Sequence, residues 1–209
     1  MALEDGTLSA RKGDAMRARI VEAAERIVAG QGVVALTTRA LAQGAACAEG
    51  TLYVHFPDRL AIISAIFERH WPQATEALDQ LQTQVGAGRV VDNLCATLER
   101  IRDFLVALDP IMAGVMADPT LCHTLQGRWC ELGVGPQAVA VRLAAYIARE
   151  RAIGRVAAKV DPDAASEALL GFLFYSKAAT RFWPDRPQHL TEARLHWVVE
   201  TLVGDGGDA

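Results

Sequence analysis

A short segment near the N-terminus concentrates side chains that can recognise another molecule through hydrogen bonds. Thr51, Tyr53 and His55 bring a hydroxyl, a phenol and an imidazole into one run between Gly50 and Pro57. Each of these groups can donate and accept hydrogen bonds. The run is too short for a core helix and too polar for simple packing. We therefore expect its chemistry to be recognition of a surface.

Two short helices and a longer one are predicted to position these side chains. Thr37 or Thr38 can cap the first short helix. In the second, Leu52 and Phe56 lie on one face at i and i+4, which leaves the polar side chains pointing elsewhere. Backed by a first helix from about residue 14 to 30, they form the three-helix arrangement of a helix-turn-helix head. The second short helix of such a head enters the major groove of DNA.

Apolar residues recur at helical spacing through the rest of the chain. Further helices are predicted over Asp58–Leu81, Arg89–Leu108, Pro119–Leu132, Pro136–Ile153, Pro162–Phe182 and Gln188–Val203. No strand pattern stands out, so the predicted fold class is all-α, with an N-terminal helix-turn-helix head and a C-terminal helical domain. The expected division is a flexible arm (1–13), the head (14–58), the helical domain (59–203) and a disordered tail (204–209).

The charge balance restricts how nucleic acid could be bound. The chain has 21 Lys and Arg against 25 Asp and Glu, a net charge of −4. The stretch from Arg11 to Arg59 has seven basic and five acidic residues, or +2, so any binding of DNA is local. Arg17 and Arg19 could contact phosphates or simply form a solvated face.

Composition excludes several other classes. With 209 residues and 51% hydrophobic content, the chain can bury a core. Its four cysteines form no Cys-x-x-Cys pair and are expected to be buried, reduced thiols. The N-terminus has no apolar signal region and no run is long enough to span a membrane, so a cytoplasmic location is expected. No metal or cofactor is predicted.

The stretch from Leu36 to Ile63 reads LTTRALAQGAACAEGTLYVHFPDRLAII. It resembles the DNA-binding head of the tetracycline-repressor (TetR/AcrR) family of one-component regulators. The family pattern is Thr-Thr-x-x-[Ile/Leu]-Ala, then Gly-Thr-Leu-Tyr-x-[His/Tyr]-Phe, then a basic residue three positions on. Both parts occur here in the right register. The C-terminal part matches the family only in helix number and length.

The resemblance implies contacts with the bases and phosphates of double-stranded DNA at eight positions. They are Thr38 and Arg39 on the second helix, Glu49, Gly50, Thr51, Tyr53 and His55 on the third, and Arg59 after it. Arg59 stands where the family places a phosphate-binding Lys. Gly50 has no side chain to obstruct the approach of a phosphate. Of the eight, Thr51 and Tyr53 are the strongest candidates for contact with DNA.

Three residues depart from the family pattern. Ala46 replaces the turn Gly, Ala48 replaces the helix-capping Ser or Thr, and Glu49 replaces a frequent Lys, Arg or Gln. A lost N-cap hydroxyl costs about 0.5–2 kcal/mol of local helix stability. Glu49 repels phosphate unless it accepts a hydrogen bond from a cytosine amino group. These changes bear on affinity and operator sequence more than on the fold.

The last two predicted helices have apolar residues on nearly every face, so each must be covered on two sides. Proteins that recognise DNA through the major groove usually bind paired half-sites as symmetric dimers. We therefore predict a four-helix bundle formed by two chains, as in the resembled family, with an internal helical hairpin as the alternative. The predicted dimerisation residues are Leu169, Phe172, Phe174, Leu195, Trp197, Val198 and Leu202.

The middle helices hold aromatic, sulfur-containing and imidazole side chains that suit a cavity for a small apolar or amphipathic effector. The candidates are Trp71, Phe104, Met112, Met116, His123, Trp129 and Cys130. Any one of them could equally be ordinary core.

The leading interpretation is a homodimeric transcriptional regulator, most simply a repressor, that releases a palindromic operator when a small molecule binds. Two alternatives remain open. One is a helical interaction protein whose head no longer reads DNA. The other is a helical-bundle enzyme, against which stands the lack of any Glu-x-x-His or His-x-x-x-His pair in the sequence.

Overall fold

The described part of the chain consists of helices joined by turns and short loops. A computed structural model describes residues 2–183, 185 and 191–204, with side chains from Lys12 onward apart from that of Arg181. These ranges contain no strand, which confirms the predicted all-α class.

Nine α-helices and one 3-10 turn follow one another over the described ranges. They are α1 (Ala2–Gln31), the 3-10 turn Val33–Ala35, α2 (Thr38–Gly44), α3 (Glu49–His55), α4 (Arg59–Thr83), α5 (Val90–Met116), α6 (Pro119–Leu132), α7 (Pro136–Ala152), α8 (Pro162–Phe182) and α9 (Glu192–Val203). The bounds of α6 and α8 are those that the sequence predicts.

Two helices are longer than predicted. Residues 2–13, expected to be a flexible arm, belong to α1. They contain no proline, so nothing in them stops the helix from propagating. Helix α5 was expected to end at Leu108 but continues through Pro110. Pro110 removes one backbone hydrogen bond, and the burial of Leu108, Ile111 and Val115 around it outweighs that loss.

Side-chain caps fix five of the described helix starts, those of α2, α4, α6, α8 and α9. Thr37 accepts a hydrogen bond from the Ala40 N–H at 3.2 Å, and Asp58 accepts one from the Ala61 N–H at 2.7 Å. Thr191 caps α9 in the same way. Residues 188–190 of the predicted last helix, and 205–209 of the predicted tail, lie outside the described residues.

The chain divides into two compact units that do not coincide with the predicted boundary after residue 58. The first joins residues up to Trp71 with Ala107–Arg128. The second joins Pro72–Val106 with the residues from Trp129 onward. The turn at Pro57 ends a helix, but packing rather than turn chemistry decides which residues form one body.

The first unit has its core where α1 meets α2 and α3. Ile20 and Ala24 of α1, Leu52 of α3 and Ile63 of α4 are almost fully buried. Polar contacts tie α1 to α4 at the surface: Glu25 forms an ion pair with Arg69 at 3.5 Å and a hydrogen bond with His70 Nε2 at 2.9 Å. The short helices are thus supported by two long ones.

The second unit packs α7 on α8 and α8 on α9. It contains a cluster of polar residues around the buried Glu150. Glu150 Oε1 accepts a hydrogen bond from Gly86 N at 3.1 Å, and Glu150 Oε2 lies 3.4 Å from Arg155 Nη1. Burial raises the pKa of Tyr146 to about 12, and its hydroxyl accepts a hydrogen bond from Asn93 at 3.0 Å. These contacts hold the loop between α4 and α5 to α7.

Candidate nucleic-acid interface

The turn between α2 and α3 is a complete Schellman motif that has Ala46 instead of glycine at its left-handed position. Cys47 N donates to Ala42 O at 2.9 Å, and Ala46 N donates to Gln43 O at 3.2 Å. Ala46 has φ 50°, the left-handed region that normally selects Gly. The turn geometry of the head is therefore kept, at the cost of strain in Ala46.

Helix α3 is anchored by its inward face and by its C-terminal end. Leu52 and Phe56 are buried. The Arg17 guanidinium lies over the Phe56 ring, 4.3 Å from its centroid, and Arg17 Nη1 donates to His55 O at 3.2 Å. The N-terminal end has no such support, since Ala48 at the N-cap offers no side-chain oxygen. Helix α3 is thus anchored at its inward face and its C-terminal end, and its outward face is left exposed.

The predicted DNA-binding residues lie together on α2, α3 and the start of α4. Arg39, Glu49, Gly50, Tyr53 and Arg59 are exposed, and Thr38, Thr51 and His55 are half-buried. The hydroxyls of Thr38 and Tyr53 are 3.4 Å apart, so the two helices share one polar surface. Tyr53 is 61% exposed, which leaves most of its ring available to a partner.

Four arginines of the first unit donate hydrogen bonds to backbone carbonyl oxygens. Besides Arg17, Arg19 Nη2 donates to Ala45 O at 2.6 Å and Arg26 Nη2 donates to Gly44 O at 3.1 Å, at the end of α2. Arg59 Nη2 donates to Val33 O in the 3-10 turn. The sequence offered phosphate contacts or a solvated face for Arg17 and Arg19 and a phosphate contact for Arg59, and it did not predict these bonds to carbonyls. A guanidinium has five N–H donors, so these bonds still leave donors for phosphate.

Val54 was not predicted, yet it belongs to the outward face of α3. Its side chain is 81% exposed, although it lies between Tyr53 and His55 on the helix expected to read DNA. The signal that could have found it is its register: Leu52 and Phe56 face inward, so position 54 must face outward.

The predicted effector-binding residues differ widely in exposure. In the first unit Trp71 and Met112 are half-buried, whereas Met116 and His123 are exposed; in the second Phe104 is buried, Trp129 is half-buried and Cys130 is exposed. Cys122 is exposed as well, and Cys47 and Cys95 are half-buried, so the expectation of four buried thiols is wrong. Only Leu125 of α6 is buried, because this helix has a narrow apolar face.

The predicted dimerisation residues fall into two groups. Leu169 and Leu195 are buried within their own unit. Phe172, Val198 and Leu202 are half-buried, and Phe174 and Trp197 are exposed, Trp197 by 66%. None of the described helices is long and apolar enough to cross a membrane. No group of three or more His, Cys, Asp or Glu suited to a metal ion occurs within the described ranges.

Residues 20–66 match a protein family described as "Bacterial regulatory proteins, tetR family". No curated protein matches the chain significantly by sequence. Solved structures share its fold over nearly their full length. One is a putative TetR-family transcriptional regulator from Mesorhizobium loti, with TM-score 0.73 and 17% identity over 91% of this chain and 96% of that one.

Two further structures add named relatives of the fold. Salmonella enterica GusR has TM-score 0.67 and 22% identity, covering 90% of this chain and 95% of its own. SmeT, the repressor of the Stenotrophomonas maltophilia multidrug efflux pump SmeDEF, has TM-score 0.71 and 20% identity, covering 92% and 93%. SmeT is also known in complex with triclosan.

Proposed function

We propose that this chain is a DNA-binding regulator of the tetR family, a repressor that binds a palindromic operator as a homodimer and is released by a small molecule. The observation that carries the proposal is the outward face of α3. It lies within the matched residues, is anchored by Leu52 and Phe56, and presents Thr51 and Tyr53. Its place of action is the cytoplasm.

The proposed readout divides the surface into two kinds of contact. Thr51 and Tyr53 face base edges, while Arg39 and Arg59 flank them and contact phosphates. Gly50 allows a DNA phosphate to approach the backbone closely, because it has no side chain. A Cβ added at Gly50 would meet no atom of the chain itself within 4 Å. Glycine at this exposed position is therefore not required by packing within the chain.

The proposed dimer is supported by a repeated pattern on α8. Its exposed side includes Ala164, Ala168, Gly171, Tyr175, Ala178 and Phe182, spaced alternately by four and three residues. That spacing forms the seam of helices that pack along each other, and small side chains allow a close approach. Phe174 and Trp197 flank the seam as exposed aromatics, whereas Leu169 and Leu195 support it from within.

The dimer is tested by placing a charge in this surface. Phe174→Glu buries an unpaired carboxylate in the proposed interface and should halve the mass found by sedimentation at micromolar concentration. Val141→Glu, at a similarly exposed apolar residue of α7, is the matched control and should leave the dimer intact. A wild-type chain that sediments as a monomer at micromolar concentration would contradict the proposed dimer.

The proposed effector is small and apolar or amphipathic. The candidates removed from solvent support this: Phe104 is buried, and Trp71, Met112 and Trp129 are half-buried. Helix α4 contains both Arg59, beside the proposed DNA surface, and the effector candidate Trp71, so it is the proposed path for a response. Coupling of about 1–3 kcal/mol would lower operator affinity roughly 5–150-fold.

The effector proposal can be tested with triclosan, the apolar ligand named for SmeT, as a first probe. Tryptophan fluorescence reports binding, and a gel shift reports release. Trp71→Ala should blunt release more than it weakens DNA binding without ligand. A variant that binds the probe and releases DNA as the wild type does would show that Trp71 carries no signal.

The DNA-binding function is tested by selection from a random DNA library, followed by gel shifts against the recovered sequence and the DNA flanking the chain's own gene. The expected site is a palindrome with half-site centres about 10–10.5 base pairs apart, or a multiple of that spacing. The retained alternative is a helical interaction protein with a degenerate head, favoured by the strain at Ala46 and the missing cap at Ala48. It predicts that no sequence is enriched.

A further inference from the structure

The outward face of α3 contains one apolar side chain for which the fold gives no reason. Val54 is 81% exposed and therefore buries little against its own chain. A β-branched residue is also a poorer helix former than most alternatives. The two-turn helix α3 would form more readily with Ala at this position, so its benefit must come from something outside the chain.

The neighbourhood of Val54 leaves room for a small apolar group. Gly50 precedes it by one helical turn on the same face, and Cα–Cβ bonds in a helix tilt toward the N-terminus, so the Val54 side chain leans toward Gly50. A Cβ at Gly50 would meet no atom within 4 Å, so the space beside Val54 is open. Tyr53 follows Gly50 by three residues on the same helix, and its hydroxyl lies 3.4 Å from that of Thr38.

The major groove offers one apolar group to such a surface. Of the four bases only thymine presents a methyl group there, at C5, and apolar side chains recognise it by direct contact. We propose that Val54, over the recess at Gly50, contacts a thymine methyl in each operator half-site and selects thymine at that position. This inference rests on the proposed function, in which α3 enters the major groove.

The expected effect follows from the surface that the contact removes from water. Burying one methyl-sized group stabilises by about 0.8 kcal/mol, which is about fourfold in affinity. A symmetric dimer makes the contact twice, so removal of both methyls should weaken binding about 16-fold if the half-sites act independently.

Deoxyuridine differs from thymidine only by that methyl group and provides the test. Each thymine of the selected operator is replaced by deoxyuridine, one symmetric pair at a time, and Kd is measured by fluorescence anisotropy at fixed salt. The operator affinity of the wild type should fall about 16-fold when the thymines at one symmetric pair of positions are replaced. Val54→Ala should bind the thymine and deoxyuridine operators equally at that pair, while keeping its response at other positions.

Val34→Ala is the matched control, because Val34 is 88% exposed but lies on the 3-10 turn. It should keep the full preference for thymine. A wild type that is indifferent to deoxyuridine at every position, or a Val54→Ala variant that keeps the preference, would overturn the inference alone. Failure to recover any specific operator would overturn both it and the proposed function.

Discussion

Replacing Ala46 by Gly is expected to stabilise the head. Ala46 is the one non-glycine residue with positive φ among the described residues, at 50°. The Schellman hydrogen bonds of α2 fix that conformation, since Cys47 N must reach Ala42 O and Ala46 N must reach Gln43 O. The side chain of Ala46 is exposed, so its removal leaves no cavity.

The size of the gain follows from two opposing effects. The left-handed conformation costs a residue other than Gly about 1–2 kcal/mol. Gly loses more conformational freedom on folding, which costs about 0.5–1 kcal/mol. The central values of these two ranges leave a net stabilisation of about 0.75 kcal/mol, which in a chain of this length should raise Tm by about 1.5–3 °C.

Thermal unfolding followed by circular dichroism measures this difference, with Ala45→Gly as the matched control. Ala45 precedes Ala46 directly, but it has φ −91° and is 3% exposed. Gly at that position removes a buried methyl and relieves no strain, so it should lower Tm. An Ala46→Gly variant no more stable than wild type, or an Ala45→Gly variant that gains as much, would refute the explanation of strain.

Three other experiments, at Ala48, Gly114 and Tyr146, test separate parts of the account. Ala48→Ser supplies the missing N-cap acceptor and should stabilise α3 by about 0.5–2 kcal/mol in denaturant titrations; no gain would mean that this helix end is satisfied otherwise. In α5, a Cβ at Gly114 would overlap both the Cβ and one γ-carbon of Val33, so Gly114→Ala should cost about 1–3 kcal/mol, and Val33→Gly, which removes both atoms, should partly offset that cost in a double-mutant cycle. Gly127→Ala, with open space around it, should cost nothing, and an equal loss in both glycine variants would contradict the overlap. Because burial raises the pKa of Tyr146 from 10.0 to about 12, the folded state holds its proton more tightly, and stability should fall as pH rises through that window, less so in Tyr146→Phe.

Local signals in the sequence predicted most of the helical framework. Caps at Thr37 and Asp58 act between neighbouring residues, and the Asp-Pro step that opens α8 needs no distant partner. The inward direction of Leu52 and Phe56 also follows from helical periodicity alone. The candidate interface was predictable because a short motif fixes both the anchors and the outward face.

Features that depend on distant packing were not predictable. The passage of α5 through Pro110 depends on burial of its flanks, which no local rule reports. The same holds for Arg19, which reaches a carbonyl 26 residues away in sequence and so looks like an ordinary basic residue in the sequence. Exposure of Cys122 likewise depends on how much of α6 is covered.

The central claim is that Thr51 and Tyr53 read DNA from α3, and a comparison of operator affinities tests it most directly. Kd is measured by fluorescence anisotropy for wild type, for Thr51→Ala combined with Tyr53→Ala, and for the control Val34→Ala, from 50 to 200 mM salt. Wild-type affinity should fall steeply with salt, by about 10³–10⁵ if 6–10 phosphates are contacted. The double variant should keep its helical content and its dimer but lose operator binding at near-physiological salt, whereas the control should bind as wild type does. A double variant that retains wild-type affinity there would contradict the account.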